Sequence, residues 1–81
     1  MPKQQRQRDL EVAAAFGMRV KKLRKEQNLT QEKLAEAAGL HPTFISNVER
    51  GYRVPSLPTV LRLASALDVL PSRLIDKLAV N

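Results

Sequence analysis

Apolar residues recur at helical spacing in five stretches of this chain, separated by short breaks several of which carry glycine or proline. Between about Asp9 and Gln27, Ala13, Phe16, Gly17, Val20 and Leu23 form one stripe, with Asp9 placed to cap the helix they predict. Thr30 is the expected N-cap of a second helix whose Leu34, Ala35 and Ala38 repeat at helical spacing up to Gly39. Pro42 suits the first turn of a third helix, because no amide donor is needed there and its φ is already helical. Gly51 stops that helix, and Val54-Pro55 keeps the chain extended until Ser56 can cap a fourth. Leu57, Val60, Leu61, Ala64 and Leu67 are the predicted buried face of the fourth helix. A fifth is expected to start at Pro71 and to carry Leu74, Ile75 and Leu78.

The third helix has the most informative surface. Stepped at about 100° per residue, Thr43, Ser46, Asn47 and Arg50 share one arc of about 100°, while Phe44, Ile45 and Val48 face the other way. One side can enter a core and the other is short and polar. Asn can pair bidentately with adenine, Ser and Thr can bond either kind of base pair, and Arg can reach guanine or a phosphate. These side chains suit the base edges of a major groove. His41, the single histidine, lies just before the helix and is read either as a base or phosphate contact or as a water-facing cap.

Two short helices joined at a glycine, the second polar on its outer side, resemble the lambda-repressor and Cro-like (XRE-type) helix-turn-helix regulators, which include small bacterial controllers. The resemblance runs from about Phe16 to Leu74. It is carried by Leu29-Thr30-Gln31, Leu34-Ala35, Ala38-Gly39, Ile45-Ser46, Glu49-Arg50-Gly51, Pro55-Ser56-Leu57 and Leu63-Ala64-Ser65-Ala66-Leu67. It implies an all-α, compact five-helix fold with the helix-turn-helix at the second and third helices, the third being the recognition helix and the second crossing the DNA backbone. Thr43, Ser46, Asn47 and His41 then become the expected base contacts, and Gln31, Arg50, Tyr52, Arg53 and Ser56 the expected backbone contacts. The resemblance also implies an ion pair between Arg24 and Glu49, which would hold the first helix to the third.

Composition narrows the classes further. Eighty-one residues make one domain with one modest core, and the net charge of +6 favours polyanionic partners. Without cysteine there is no disulfide framework and no thiolate chemistry, and no triad spacing, phosphate loop or metal-ligand cluster points to an enzyme, a cofactor or a metal. The run Leu10–Met18 is broken by Glu11 and preceded by Asp9, so neither a membrane span nor an export signal is expected, and a cytoplasmic location follows. Residues 1–8 are basic and lack apolar residues after Met1. They are expected to be a flexible arm, either frayed or laid along DNA, with the domain proper at residues 9–81.

The resemblance implies a transcriptional regulator that binds a palindromic operator as a homodimer. Leu70, Leu74, Leu78 and Val80 exceed what a fifth helix needs to close the core, so a twofold interface is expected there, with simple core packing as the alternative. Two other functions use such a fold. One is an antitoxin that binds a toxin protein, and the other is an RNA-binding protein or coactivator. RNA polymerase or a toxin is the corresponding protein partner.

Overall fold

The computed structural model describes residues 3–78, which form α1 (Lys3–Glu26), α2 (Gln31–Ala38), α3 (Pro42–Glu49), α4 (Leu57–Ala66) and α5 (Pro71–Ile75). The fold is all-α. Helix α1 lies against α3 and α5, α2 against α3 and α4, and α4 against α5. The core between them contains Phe16, Val20 and Leu23 of α1, Leu34 and Ala35 of α2, Ile45 and Val48 of α3, Leu63 and Leu67 from α4 and its cap, and Leu74 of α5. Helices as short as α2 and α3 are marginal in isolation, so this shared burial supplies most of what holds them.

Three expectations require correction. Helix α1 starts at Lys3 rather than Asp9, because Lys, Gln and Arg are good helix formers and nothing between Lys3 and Arg8 breaks the pattern. Asp9 is therefore an interior residue of α1 and not its cap. The buried stripe of α4 is Val60, Leu63, Ala64 and Leu67, whereas Leu57 and Leu61 are 69% and 48% exposed. The stripe is rotated towards Leu63, which leaves Leu57 and Leu61 at its solvent edge. Finally, Leu74 and Leu78 are buried within the single chain at 0% and 8% exposure, so they are core residues and offer no surface to a second subunit. Short as it is, α5 needs both to close the space between α1 and α4. Leu70 is 72% exposed, and Val80 lies outside the described residues.

The ends of α1 to α4 are built alike. In each, a residue one or two positions past the helix takes the left-handed conformation: Asn28 at φ 58°, Gly39 at 68°, Gly51 at 78° and Asp68 at 54°. The following amide then reaches back across the last turn, from Leu29 to Arg24, Leu40 to Ala35, Tyr52 to Asn47 and Val69 to Ala64. This paired closure satisfies carbonyls that the helix leaves open, and it usually drives the residue after the left-handed one onto the core. Leu29, Leu40 and Val69 do pack on the core; Tyr52 remains 70% exposed.

Side chains fasten the outer elements. Arg19 donates to the carbonyls of Arg73 and Asp76 at 2.7 and 3.0 Å, closing the end of α5 from α1. The amide of Gln27 donates to the carbonyl of Leu67, joining the end of α1 to the end of α4. Helix α5 itself starts without a side-chain cap: Leu70 occupies that position and Pro71 sets the first turn.

Candidate nucleic-acid interface

Helix α3 is fixed from behind by a buried ionic cluster. Arg24 donates to Glu49 through Nε to Oε2 at 2.7 Å and Nη2 to Oε1 at 3.0 Å, while its Nη1 donates to the Leu29 carbonyl at 2.8 Å. Both residues are 8% exposed, and each of the three guanidinium nitrogens donates to one acceptor. Hydrogen bonding to Glu49 is the largest reason that the Arg24 pKa lies above its ordinary value, with burial opposing it. The contribution of a raised guanidinium pKa is lost only as pH rises beyond the ordinary arginine range, so the pair does not loosen through Arg24 anywhere near neutrality. Gln31, at the start of α2, donates from Nε2 to Glu49 Oε1 at 3.0 Å. Its amide thus braces α3 and retains one N–H for another acceptor.

Close helix contact fixes the distance between α1 and α3. A Cβ at Gly17 would lie 2.1 Å from the Val48 carbonyl oxygen and 2.9 Å from that of Glu49. Only a residue without a side chain fits where α1 crosses the end of α3.

The front of α3 follows from its own sequence. His41 caps it, with Nδ1 accepting from the Thr43 amide at 3.1 Å, and Pro42 occupies the first turn. A cap is one of the two readings the sequence allowed for His41, and the imidazole is exposed. Thr43 and Arg50 are exposed, Ser46 and Asn47 half-buried, and all lie on the side away from Ile45 and Val48. Nη2 of Arg50 donates to Oδ1 of Asn47 at 3.1 Å, and its guanidinium lies over the Tyr52 ring, 4.9 Å from the centroid. Phe44 packs partly on the core and carries Arg53 over its ring at 5.5 Å. Ser56 caps α4, its Oγ accepting from the Thr59 amide at 3.4 Å.

The structure thus brings Gln31, Thr43, Ser46, Asn47 and Arg50 onto or beside one helix, with Tyr52 and Arg53 on the loop that leaves it. The two arginine–aromatic stacks were absent from the sequence reading. A position three residues from Asn47 was the signal for its bond to Arg50; the ring contacts depend on how the loop folds back and had no linear signal.

A short helix docked by a buried ion pair, presenting polar side chains outward and preceded by a second helix across a left-handed glycine turn, defines a helix-turn-helix protein. The chain belongs to the helix-turn-helix family, whose model matches residues 20–74. Among its relatives, the control protein C.BamHI of Bacillus amyloliquefaciens is 44% identical over 62 residues, which span 75% of this chain and 76% of that protein. The crystal structure of the restriction-modification controller protein C.AhdI from Aeromonas hydrophila superposes with a TM-score of 0.76 at 44% identity, covering 76% of this chain and 94% of that one. The restriction-modification controller C.Esp1396I, solved as a tetramer in complex with its natural 35 base-pair operator, matches with a TM-score of 0.75 at 28% identity, over 83% of this chain and 88% of that one.

Proposed function

We propose that this protein is a sequence-specific DNA-binding transcriptional regulator that reads a palindromic operator as a homodimer, with α3 of each subunit in the major groove of one half-site. The observation that carries this reading is the anchored α3: the Arg24–Glu49 pair and the Gly17 contact fix its back, leaving Thr43, Ser46, Asn47 and Arg50 on the side turned away from the core. A rigid helix with a short polar front suits direct base readout. Gln31, Tyr52, Arg53 and Ser56 flank it as backbone-positioning groups, and the net charge of +6 supplies the salt-dependent attraction to phosphates. Likeness to controllers, one of them solved on its operator, supports the same conclusion.

With Leu74 and Leu78 committed to the core, the exposed Leu57, Leu61 and Leu70 are the apolar residues through which two copies meet. Among the described residues no helix is long and apolar enough to cross a membrane, and the site of action is cytoplasmic DNA. The test is selection of bound duplexes from a randomised pool at about 0.15 M salt, where phosphate attraction is screened. An inverted repeat with half-sites about one helical turn apart is the expected result. Recovery of no consensus, or a preference for folded RNA over duplex, refutes the reading.

A further inference from the structure

Arg50 stands at the fixed end of α3. Its neighbour Glu49 is held inward by Arg24, and its own amide donates to the Ser46 carbonyl at 3.0 Å. The backbone at Arg50 is therefore anchored, and the freedom that remains lies in its long side chain. That freedom is restricted from two sides. Nη2 donates to Oδ1 of Asn47 at 3.1 Å, and the guanidinium lies over the Tyr52 ring, 4.9 Å from the centroid. The bond to Asn47 uses one of five N–H donors, so others remain for a forked grip on a phosphate.

Tyr52 is placed by the closure of α3. Gly51 takes φ 78°, and the Tyr52 amide donates back to the Asn47 carbonyl at 2.8 Å. The backbone makes that bond, so any residue but proline can supply it. At the other three helix ends closed this way, the corresponding residue is an aliphatic one packed on the core, Leu29, Leu40 or Val69. Tyr52 instead stays 70% exposed, with its ring under the Arg50 guanidinium. Neither the closure nor the core calls for an aromatic ring here. A face on which a guanidinium rests does.

We propose that Tyr52 is a positioning residue for DNA binding: its ring holds the Arg50 guanidinium ready for a backbone phosphate, and it contributes to affinity through Arg50 and not through its own hydroxyl. A long side chain ordered before DNA arrives has less freedom to lose on binding. The bond to Asn47 ties the same guanidinium to the front of α3, so the phosphate grip is set in register with the base-reading side chains. This inference rests on the operator reading above and adds which residue prepares one of its backbone contacts.

The test is a double-mutant cycle on a duplex that the native chain selects from the randomised pool, with Tyr52→Phe, Tyr52→Leu, Arg50→Met and the combination of the last two. Leucine is chosen because Leu29 and Leu40 hold the same place at two other closures, and thermal midpoints establish that each variant is folded. Tyr52→Phe keeps a ring under the guanidinium and binds as the native chain does. Tyr52→Leu keeps every charge and lowers affinity by about twofold to tenfold for each subunit, the size expected when one long side chain is left to be ordered on binding. Arg50→Met lowers affinity and reduces the salt slope by about one for each subunit, as loss of a phosphate contact requires. In the Arg50→Met background, Tyr52→Leu changes affinity no further.

Equal losses in Tyr52→Phe and Tyr52→Leu overturn the inference, because the hydroxyl is then the group at work. So does native affinity in Tyr52→Leu, or an unchanged salt slope in Arg50→Met. A Tyr52→Leu loss that persists undiminished in the Arg50→Met background also overturns it, since Tyr52 then acts without Arg50. All four results leave the operator reading intact. Absence of any consensus for the native chain refutes the operator reading and this inference together.

Discussion

Gly17→Ala opposes two effects whose sizes the structure fixes. In an exposed helix interior the change would stabilise by about 1 kcal/mol, because alanine has the better helix propensity. At Gly17 the new methyl would stand 2.1 Å from the Val48 carbonyl oxygen, where the closest ordinary C–H···O approach is about 3.3 Å. The end of α3 must therefore retreat by about 1.2 Å, the difference between these distances. That carbonyl accepts from the Gly51 amide at 3.0 Å, and Glu49 beside it holds Arg24, so the retreat loosens both the helix closure and the ion pair. Overpacking costs about 1–3 kcal/mol by itself, and a strained buried pair adds to it, so the net expected loss is about 2 kcal/mol. In a domain of this size that lowers the melting temperature by about 8–16 °C. Thermal unfolding followed by circular dichroism measures it, with chemical denaturation as an independent reading. A melting temperature equal to or above that of the native chain would refute the reasoning, since propensity would then have won and the α1–α3 spacing would be slack.

The remaining expectations concern the anchor, the backbone contacts and the dimer. Glu49→Gln leaves Arg24 charged and uncompensated in the interior and is expected to cost about 3–5 kcal/mol in denaturant unfolding, whereas Arg24→Met combined with Glu49→Leu recovers most of that loss; equal losses in both would assign the effect to shape and not to charge. Arg53→Ala is expected to weaken binding to all operator variants alike and to lower the salt slope by about one, measured by affinity titration at several salt concentrations; a change confined to one base position would make Arg53 a base reader. Leu74→Ala is expected to destabilise the folded chain by about 2–5 kcal/mol. Leu70→Ala, which like leucine supplies no cap to α5, should leave unfolding within about 0.5 kcal/mol of native but weaken self-association in sedimentation, and an unaltered association constant would remove Leu70 from the interface.

Positions whose role depends on local periodicity or on chain reversal were legible in the sequence. The core residues of α1, α2 and α3, the caps Thr30 and Ser56 and the stop at Gly51 all follow from spacing, propensity and turn chemistry. Where α1 starts was misread because Asp9 is a good cap, but the preceding Lys, Gln and Arg residues favour helix more than a cap there favours stopping. The face of α4 was misread because leucines at 57, 61 and 63 cover a broad arc, and only the docking of α2 and α5 selects which enter the core. The roles of Leu74 and Leu78 depend on the same docking: an apolar residue near the chain end looks the same whether it closes its own core or meets another subunit. At the interface, residue types indicated the chemistry, but partners did not. That Arg50 turns to Asn47 and Tyr52, and Gln31 to Glu49, is decided by contacts among side chains that share no simple repeat.

The repeated helix closures have a consequence for timing. Each of the first four corners is determined by a left-handed residue and an amide reaching back a few positions, so much of the chain path is laid down by neighbours in sequence. Helical domains dominated by such short-range contacts fold in about microseconds to milliseconds, whereas a ribosome adds only about 5–20 residues each second. The nascent chain is therefore expected to equilibrate between one added residue and the next, and the core closes when α5 brings in Leu74. Folding imposes no delay of its own, and the supply of folded subunits follows the rate of synthesis directly.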